Sequence, residues 1–161
     1  MLHSPEERAT KAQLLVQFQT QQLTRLRCYV VLESKFKDYL AGVCVSDEFY
    51  RFCVQSTAEK YTTVTRNIDF IVDNLINLFG EETHFVRNAR QVQSLEQLRW
   101  SKTLGMYIHR LRLNYEDPGT LMLEYFEDVD DECDDLAERV NALLEAIQTD
   151  IDSIVDGYNS S

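Results

Sequence analysis

Apolar residues recur along this chain at intervals of three and four, the spacing that lines one face of an α-helix. The series Leu15, Phe18, Leu26, Tyr29, Leu32, Phe36 and Leu40 keeps that spacing with Gln22 as its polar interruption, and it predicts a helix over about 5–41. Ser4-Pro5-Glu6-Glu7 opens it with an N-cap, a proline at the first helical position and a glutamate that can reach back to the cap, the arrangement of a capping box. A second stripe, Phe49, Phe52, Val64, Ile68, Ile71, Leu75 and Leu78, predicts a helix over about 47–79. Ser46-Asp47-Glu48 supplies its cap and first-turn acids, and Gly80 its stop. Thr57, Thr62, Thr63 and Thr65 lower the helical propensity of its middle.

A third helix is expected over about 83–115, with two stripes in place of one. Val86, Ala89, Trp100, Leu104, Tyr107 and Leu111 form the first, and Phe85, Val92, Leu95, Met106 and Leu113 the second. Gly105 inside it suggests a close helix crossing, because glycine costs about 1 kcal/mol against alanine in a helix interior. Asp117-Pro118-Gly119 is a turn. The clearest period of the chain follows: Met122, Phe126, Val129, Cys133, Leu136, Val140, Leu143, Ile147, Ile151 and Ile154. The steps alternate four and three with one extra four near the end, which is a heptad seam, and predict a coiled-coil-like helix over about 119–156 stopped by Gly157.

These elements make an all-α chain of four long antiparallel helices, read as a single helical domain over 1–161. They read as a coiled-coil-like helical bundle or elongated helical hairpins; a compact four-helix bundle fits, and so does a three-helix unit with a projecting fourth helix that pairs with another chain. Five Gly and two Pro in 161 residues are too few for the many turns of a sandwich or barrel. The sequence shows no internal repeat and no disordered linker.

The formal net charge is −11. Nucleic-acid backbones and anionic membranes repel such a surface, so neither is an expected partner of the chain as a whole. No apolar run approaches the length of a membrane span. Met1–Thr10 is polar and lacks the apolar core of a signal peptide. Cys28, Cys44, Cys53 and Cys133 match no zinc spacing, and with His3, His84 and His109 they form no recognisable catalytic set. These features lead us to expect an intracellular, reducing location, cytoplasmic or nuclear, and no enzyme, cofactor or metal. Trp100 and Tyr107, among the basic residues of the third helix, offer an aromatic-basic alternative for nucleic acid, weighed against their being core.

Charge is unevenly placed. Between Glu124 and Asp156 stand thirteen Asp or Glu against one basic residue, Arg139. The densest run fails as a calcium loop: counting from Asp128, the position that needs glycine is Cys133 and the one that needs glutamate is Arg139. Two readings stay open for Asp128, Asp130, Asp131, Glu132, Asp134, Asp135 and Glu138. They are a solvated helix face, or a docking face for a protein partner with a basic surface.

Two stretches carry a resemblance. Leu32-Glu33-Ser34-Lys35-Phe36-Lys37-Asp38-Tyr39-Leu40 and Val92-Gln93-Ser94-Leu95-Glu96-Gln97-Leu98, with the helix start at Phe49 between them, are similar to the Required for Excision 1-B domain family over about residues 14–113. That family is named for an algal locus needed for excision repair of DNA, so the resemblance implies a nuclear repair role and brings no enzymatic residues. The acidic fourth helix has no counterpart in it. The expectation is therefore a helical adaptor or scaffold acting through protein–protein contacts or self-association. The alternatives are a structural subunit of a cytoskeletal assembly such as a ciliary axoneme, and direct nucleic-acid binding through the third helix.

Overall fold

The computed structural model describes residues 5–43, 46–80, 83–113 and 120–159. Among them all regular structure is helical: α1 (Pro5–Leu40), α2 (Asp47–Phe79), α3 (His84–Leu113) and α4 (Thr120–Asn159). The expected capping box at Ser4 and the turn at Asp117-Pro118-Gly119 lie outside the described residues. The chain divides into two compact units, Met1–Glu81 and Glu82–Ser161. Each is a hairpin of two antiparallel helices, α1 with α2 and α3 with α4.

The helix ends follow from local chemistry. α1 stops in a left-handed turn at Gly42, at φ 73°, a conformation open to glycine. There the Val43 N–H bonds to the Asp38 carbonyl and the Gly42 N–H to the Tyr39 carbonyl, which satisfies the orphan carbonyls of the last turn. Ser46 caps α2, its Oγ accepting from the Phe49 N–H at 3.1 Å. Gly80, at φ 84°, donates to the Ile76 carbonyl at the other end. Thr83 serves α3 in the same way, its hydroxyl accepting from the Val86 N–H at 3.4 Å. Within α2, Thr57, Thr62 and Thr63 turn their hydroxyls back onto the carbonyls of Cys53, Ala58 and Glu59. The helix thus keeps its threonines without leaving those hydroxyls unsatisfied.

The core of the first hairpin runs along α1 through Leu15, Phe18, Cys28, Leu32 and Phe36, and along α2 through Tyr50, Tyr61, Val64, Ile68, Ile71, Val72 and Leu75. Burying each large aliphatic side chain contributes about 1.5–3 kcal/mol, well above what an exposed ion pair offers. Aromatic contacts fix the two ends and the middle. Tyr39 stacks on Tyr50 at 4.6 Å, and its hydroxyl donates to Asp47 Oδ1 at 2.7 Å, beside the connecting loop. Tyr29 meets Tyr61 edge-on at 5.8 Å halfway along. At the open end the Lys11 ammonium lies 4.0 Å over the Phe79 ring. There it also faces the negative end of the α2 dipole.

Four stripe positions expected from periodicity do not point inward. Leu26, Phe49 and Phe52 are exposed, and Arg25, Tyr50 and Thr57 are buried instead. Leu40 is exposed as well. α1 carries apolar residues on two faces, and spacing alone does not say which one meets α2.

In the second hairpin both α3 stripes are largely interior: Phe85, Val86, Ala89, Val92, Leu95, Trp100, Met106 and Tyr107 are buried and Leu104 is half-buried. The side chains of Leu111 and Leu113 lie outside the described residues. On α4, Val129, Leu136, Val140, Ile147 and Ile151 are buried, and Cys133, Leu143 and Ile154 are half-buried. The side chains of Met122 and Phe126 lie outside the described residues. Gly157 does not stop α4, which runs on to Asn159, since a single glycine lowers helix stability without breaking the backbone bonds. Gly105 marks no close crossing either: a Cβ built there meets nothing within 4 Å.

Each hairpin carries a polar pair inside its seam. In α1, Arg25, only 1% exposed, donates to Gln22 Oε1 at 2.8 Å. In α3, Arg99 donates to the buried Glu96 at 3.0 Å, again one turn apart. The surrounding residues match too: Gln17-Phe18-Gln19-Thr20 precedes the first pair as Gln91-Val92-Gln93-Ser94 precedes the second. The buried or half-buried seams of the partner helices keep one rhythm, Thr57, Tyr61, Val64, Ile68, Ile71, Leu75 in α2 and Val129, Cys133, Leu136, Val140, Leu143, Ile147 in α4. The contact Tyr29–Tyr61 in the first hairpin is matched by Thr103–Cys133 in the second. The two hairpins therefore repeat one plan, a correction to the expectation of no internal repeat.

Two substitutions test this packing. Gly105→Ala should stabilise the protein by about 0.5–1 kcal/mol in a denaturant titration, since the site is helical and open. Glu96→Ala leaves a guanidinium in the seam without its carboxylate and should cost about 3 kcal/mol, whereas Glu96→Leu with Arg99→Leu should lie near or above wild-type stability.

Candidate interaction surface

Heptad spacing on α4 puts the apolar seam on one side and forces the residues between onto the other. Those residues are mostly carboxylates. Asp128, Asp131, Glu132, Asp134, Asp135 and Glu138 are exposed, and Asp130 is half-buried at the edge of the seam. The result is a negative face along the first half of the helix. Glu132 leaves that face to bridge the hairpin, meeting Lys102 Nζ on α3 at 2.5 Å. This hydrogen bond holds the Lys102 amine above its ordinary value. The pair is solvent-exposed and adds at most about 0.5 kcal/mol. Its weight lies in the antiparallel alignment of α3 and α4 that it shares with Thr103 and Cys133.

Such a face can do little chemistry by itself. Among the described residues no group of three or more His, Cys, Asp or Glu is placed to hold a metal ion. No described helix is long and apolar enough to cross a membrane. The face is a line of exposed negative charge along the helix. On α3, Arg87 and Arg90 are exposed while Trp100 and Tyr107 are buried, so these two rings are not presented beside the cations for stacking on a base.

Among the described residues Cys28 is buried, and Cys53 and Cys133 are half-buried. Burial pushes Cys28 above its ordinary value, with Lys60 and Arg25 pulling the other way. Burial likewise raises Cys133, and its hydrogen bond with Thr103 opposes the shift. Both are poor nucleophiles at neutral pH. His84 is exposed, whereas Cys44 and His3 lie outside the described residues, as does the His109 side chain.

Sequence periodicity missed a second surface. The outward face of α1 is apolar, with Val16, Leu23, Leu26, Val30 and Val31 all exposed. The signal was present as a second three-four series beside the core one.

Compared with known proteins, the chain matches the family model described as DNA repair REX1-B over residues 13–110. The match takes in the first hairpin and most of α3, and it ends before α4. No curated protein and no solved structure matches the chain.

The buried thiols give a pH dependence. Their folded values lie above the unfolded value of 9.0, so above that pH the unfolded chain releases protons that the folded chain keeps. Folding stability should therefore fall as pH rises through about 9, and Cys28→Ala with Cys133→Ala should flatten that fall. Thermal melts across pH 7–10, with alkylation of Cys28 and Cys133 slow until the protein unfolds, check it.

Proposed function

The chain belongs to the DNA repair REX1-B family, and from that membership we propose that it is a non-enzymatic helical adaptor serving excision repair of DNA in the nucleus. The observation that carries the adaptor reading is the division of labour on α4. Its apolar side is committed to the hairpin, and its other side presents Asp128, Asp131, Asp134, Asp135 and Glu138 to solvent. Carboxylates packed this densely repel one another and cost helix stability. A cationic protein surface would relieve that repulsion on docking, and long-range attraction would speed the encounter.

The family match stops short of α4. In this reading the hairpin of α1 and α2, together with α3, is the shared scaffold, and the acidic face is this chain's own means of choosing a partner. The partner is a protein with a basic patch. Duplex DNA is disfavoured by the same charge that favours the protein.

The test uses cells lacking the gene, complemented with wild type or with a variant in which those five acids are replaced by Asn and Gln. Glu132 is left in place so that the bridge to Lys102 survives. The variant should keep its helical content and melting behaviour, lose the copurifying partner, and leave removal of ultraviolet lesions slow. Unchanged partners refute the docking face. Recovery of cytoskeletal filament proteins in place of repair proteins overturns the repair reading in favour of a structural subunit.

A further inference from the structure

One surface is absorbed neither by the hairpin nor by the acidic face. Along α1, Ala12, Val16, Gln19, Leu23, Leu26 and Val30 follow one another at steps of four and three, a second heptad seam turned away from the core. Leu23 is 57% exposed and Val30 60%, so the stripe is open to water. It runs for roughly 27 Å along the helix. Isolated exposed leucines are ordinary, but a contiguous line of them along one helix is the mark of a contact surface.

Charge identifies the occupant. Between Glu7 and Glu33 there is no acidic residue, the longest such stretch in a chain whose net charge is −11. Lys11 and Arg25 within it are buried, which leaves Arg27 as the exposed charge nearest the stripe. Two copies brought together through their α4 faces would oppose carboxylates; along this stretch of α1 they do not. We propose that this stripe is a contact between two copies of the chain, laid antiparallel through their α1 helices. This rests on the reading of the protein as one that acts through helix contacts.

The antiparallel direction follows from the side chains. It sets Val16 of one copy beside Leu26 of the other, Gln19 beside Leu23, and Ala12 beside Val30, so every layer holds at least one branched aliphatic side chain. It also keeps the two Arg27 side chains apart, beside glutamines and threonines, where a parallel pairing would bring them level. The surface removed from water is on the order of 1,000 Å² over both copies, the lower bound for a specific interface. Such an area corresponds to a reversible dimer. Because each copy carries a net charge of −11, two copies repel overall, and added salt strengthens this contact, the reverse of its effect on an ionic interface.

Sedimentation of the full-length protein tests it. The wild type should pass from monomer to dimer between roughly 1 and 100 µM, with the midpoint falling several-fold when salt is raised from about 0.05 to 0.5 M. Leu23→Gln with Leu26→Gln should raise the midpoint at least ten-fold without changing the thermal melt, because both side chains lie outside the core. Phe70→Gln is the control: Phe70 is as exposed but stands among Arg66, Asn67, Asp73 and Asn74 on α2, and its loss should leave the dimer intact. A wild type that stays monomeric throughout, a dimer that survives the double variant, or one abolished by Phe70→Gln overturns the proposal. A monomer that still recruits its partner through the acidic face overturns this inference alone. A protein that dimerises as expected but recovers the same partners after the five acids are replaced overturns the adaptor reading alone.

Discussion

Everything in this molecule depends on the burial of one apolar seam between two antiparallel helices, closed separately in each hairpin. Isolated helices in water are marginal even at good length. It is the face-to-face packing of Leu15, Phe18, Leu32 and Phe36 with Val64, Ile68 and Leu75 that stabilises the first pair. Val86, Ala89 and Val92 do the same for α3, and Val140, Ile147 and Ile151 for α4. Into each seam the sequence sets one polar pair, Gln22 with Arg25 or Glu96 with Arg99. Leucine would give as much or more stability at those positions. Each acceptor stands on the arginine's own helix, one turn away.

Much of this was legible in the residues. Four helices, their order and their ends could be read to within a few positions, because caps and glycines act locally and heptads are long. The seam of α4 was the plainest feature of the chain, and the structure buries or half-buries every member of it whose side chain is described. What could not be read was choice between equals. α1 has two apolar stripes, and Leu26 belongs to the outer one. Nothing in spacing announces that an arginine at 25 goes inside while a leucine beside it goes out. The repeat of the hairpin was hidden for a similar reason: the interval between equivalent residues is two positions shorter for the second helices than for the first, so no fixed period runs through the chain. Only the matched contacts Tyr29–Tyr61 and Thr103–Cys133 bring it out.

The family membership and the geometry divide the chain in a consistent way. The part shared with the DNA repair REX1-B family, residues 13–110, holds the apolar outer stripe of α1 from Val16 to Val30 and both polar pairs. The acidic face of α4 lies beyond it. A surface of aliphatic side chains and a surface of carboxylates recognise different things and answer salt in opposite directions. A protein that carries both on separate helices can therefore join two contacts without either competing for the same residues.

The hairpin plan also bears on how the chain is made. Its main helix contacts join neighbours in sequence, α1 to α2 and α3 to α4. Such local topology places little loop-closure entropy in the way of folding and gives rapid collapse. As the polypeptide leaves the ribosome, the leading hairpin can zip shut once Phe79 has emerged to meet Lys11, while the trailing one is still being synthesised. The nascent acidic helix then enters a cell in which half of the protein is already native.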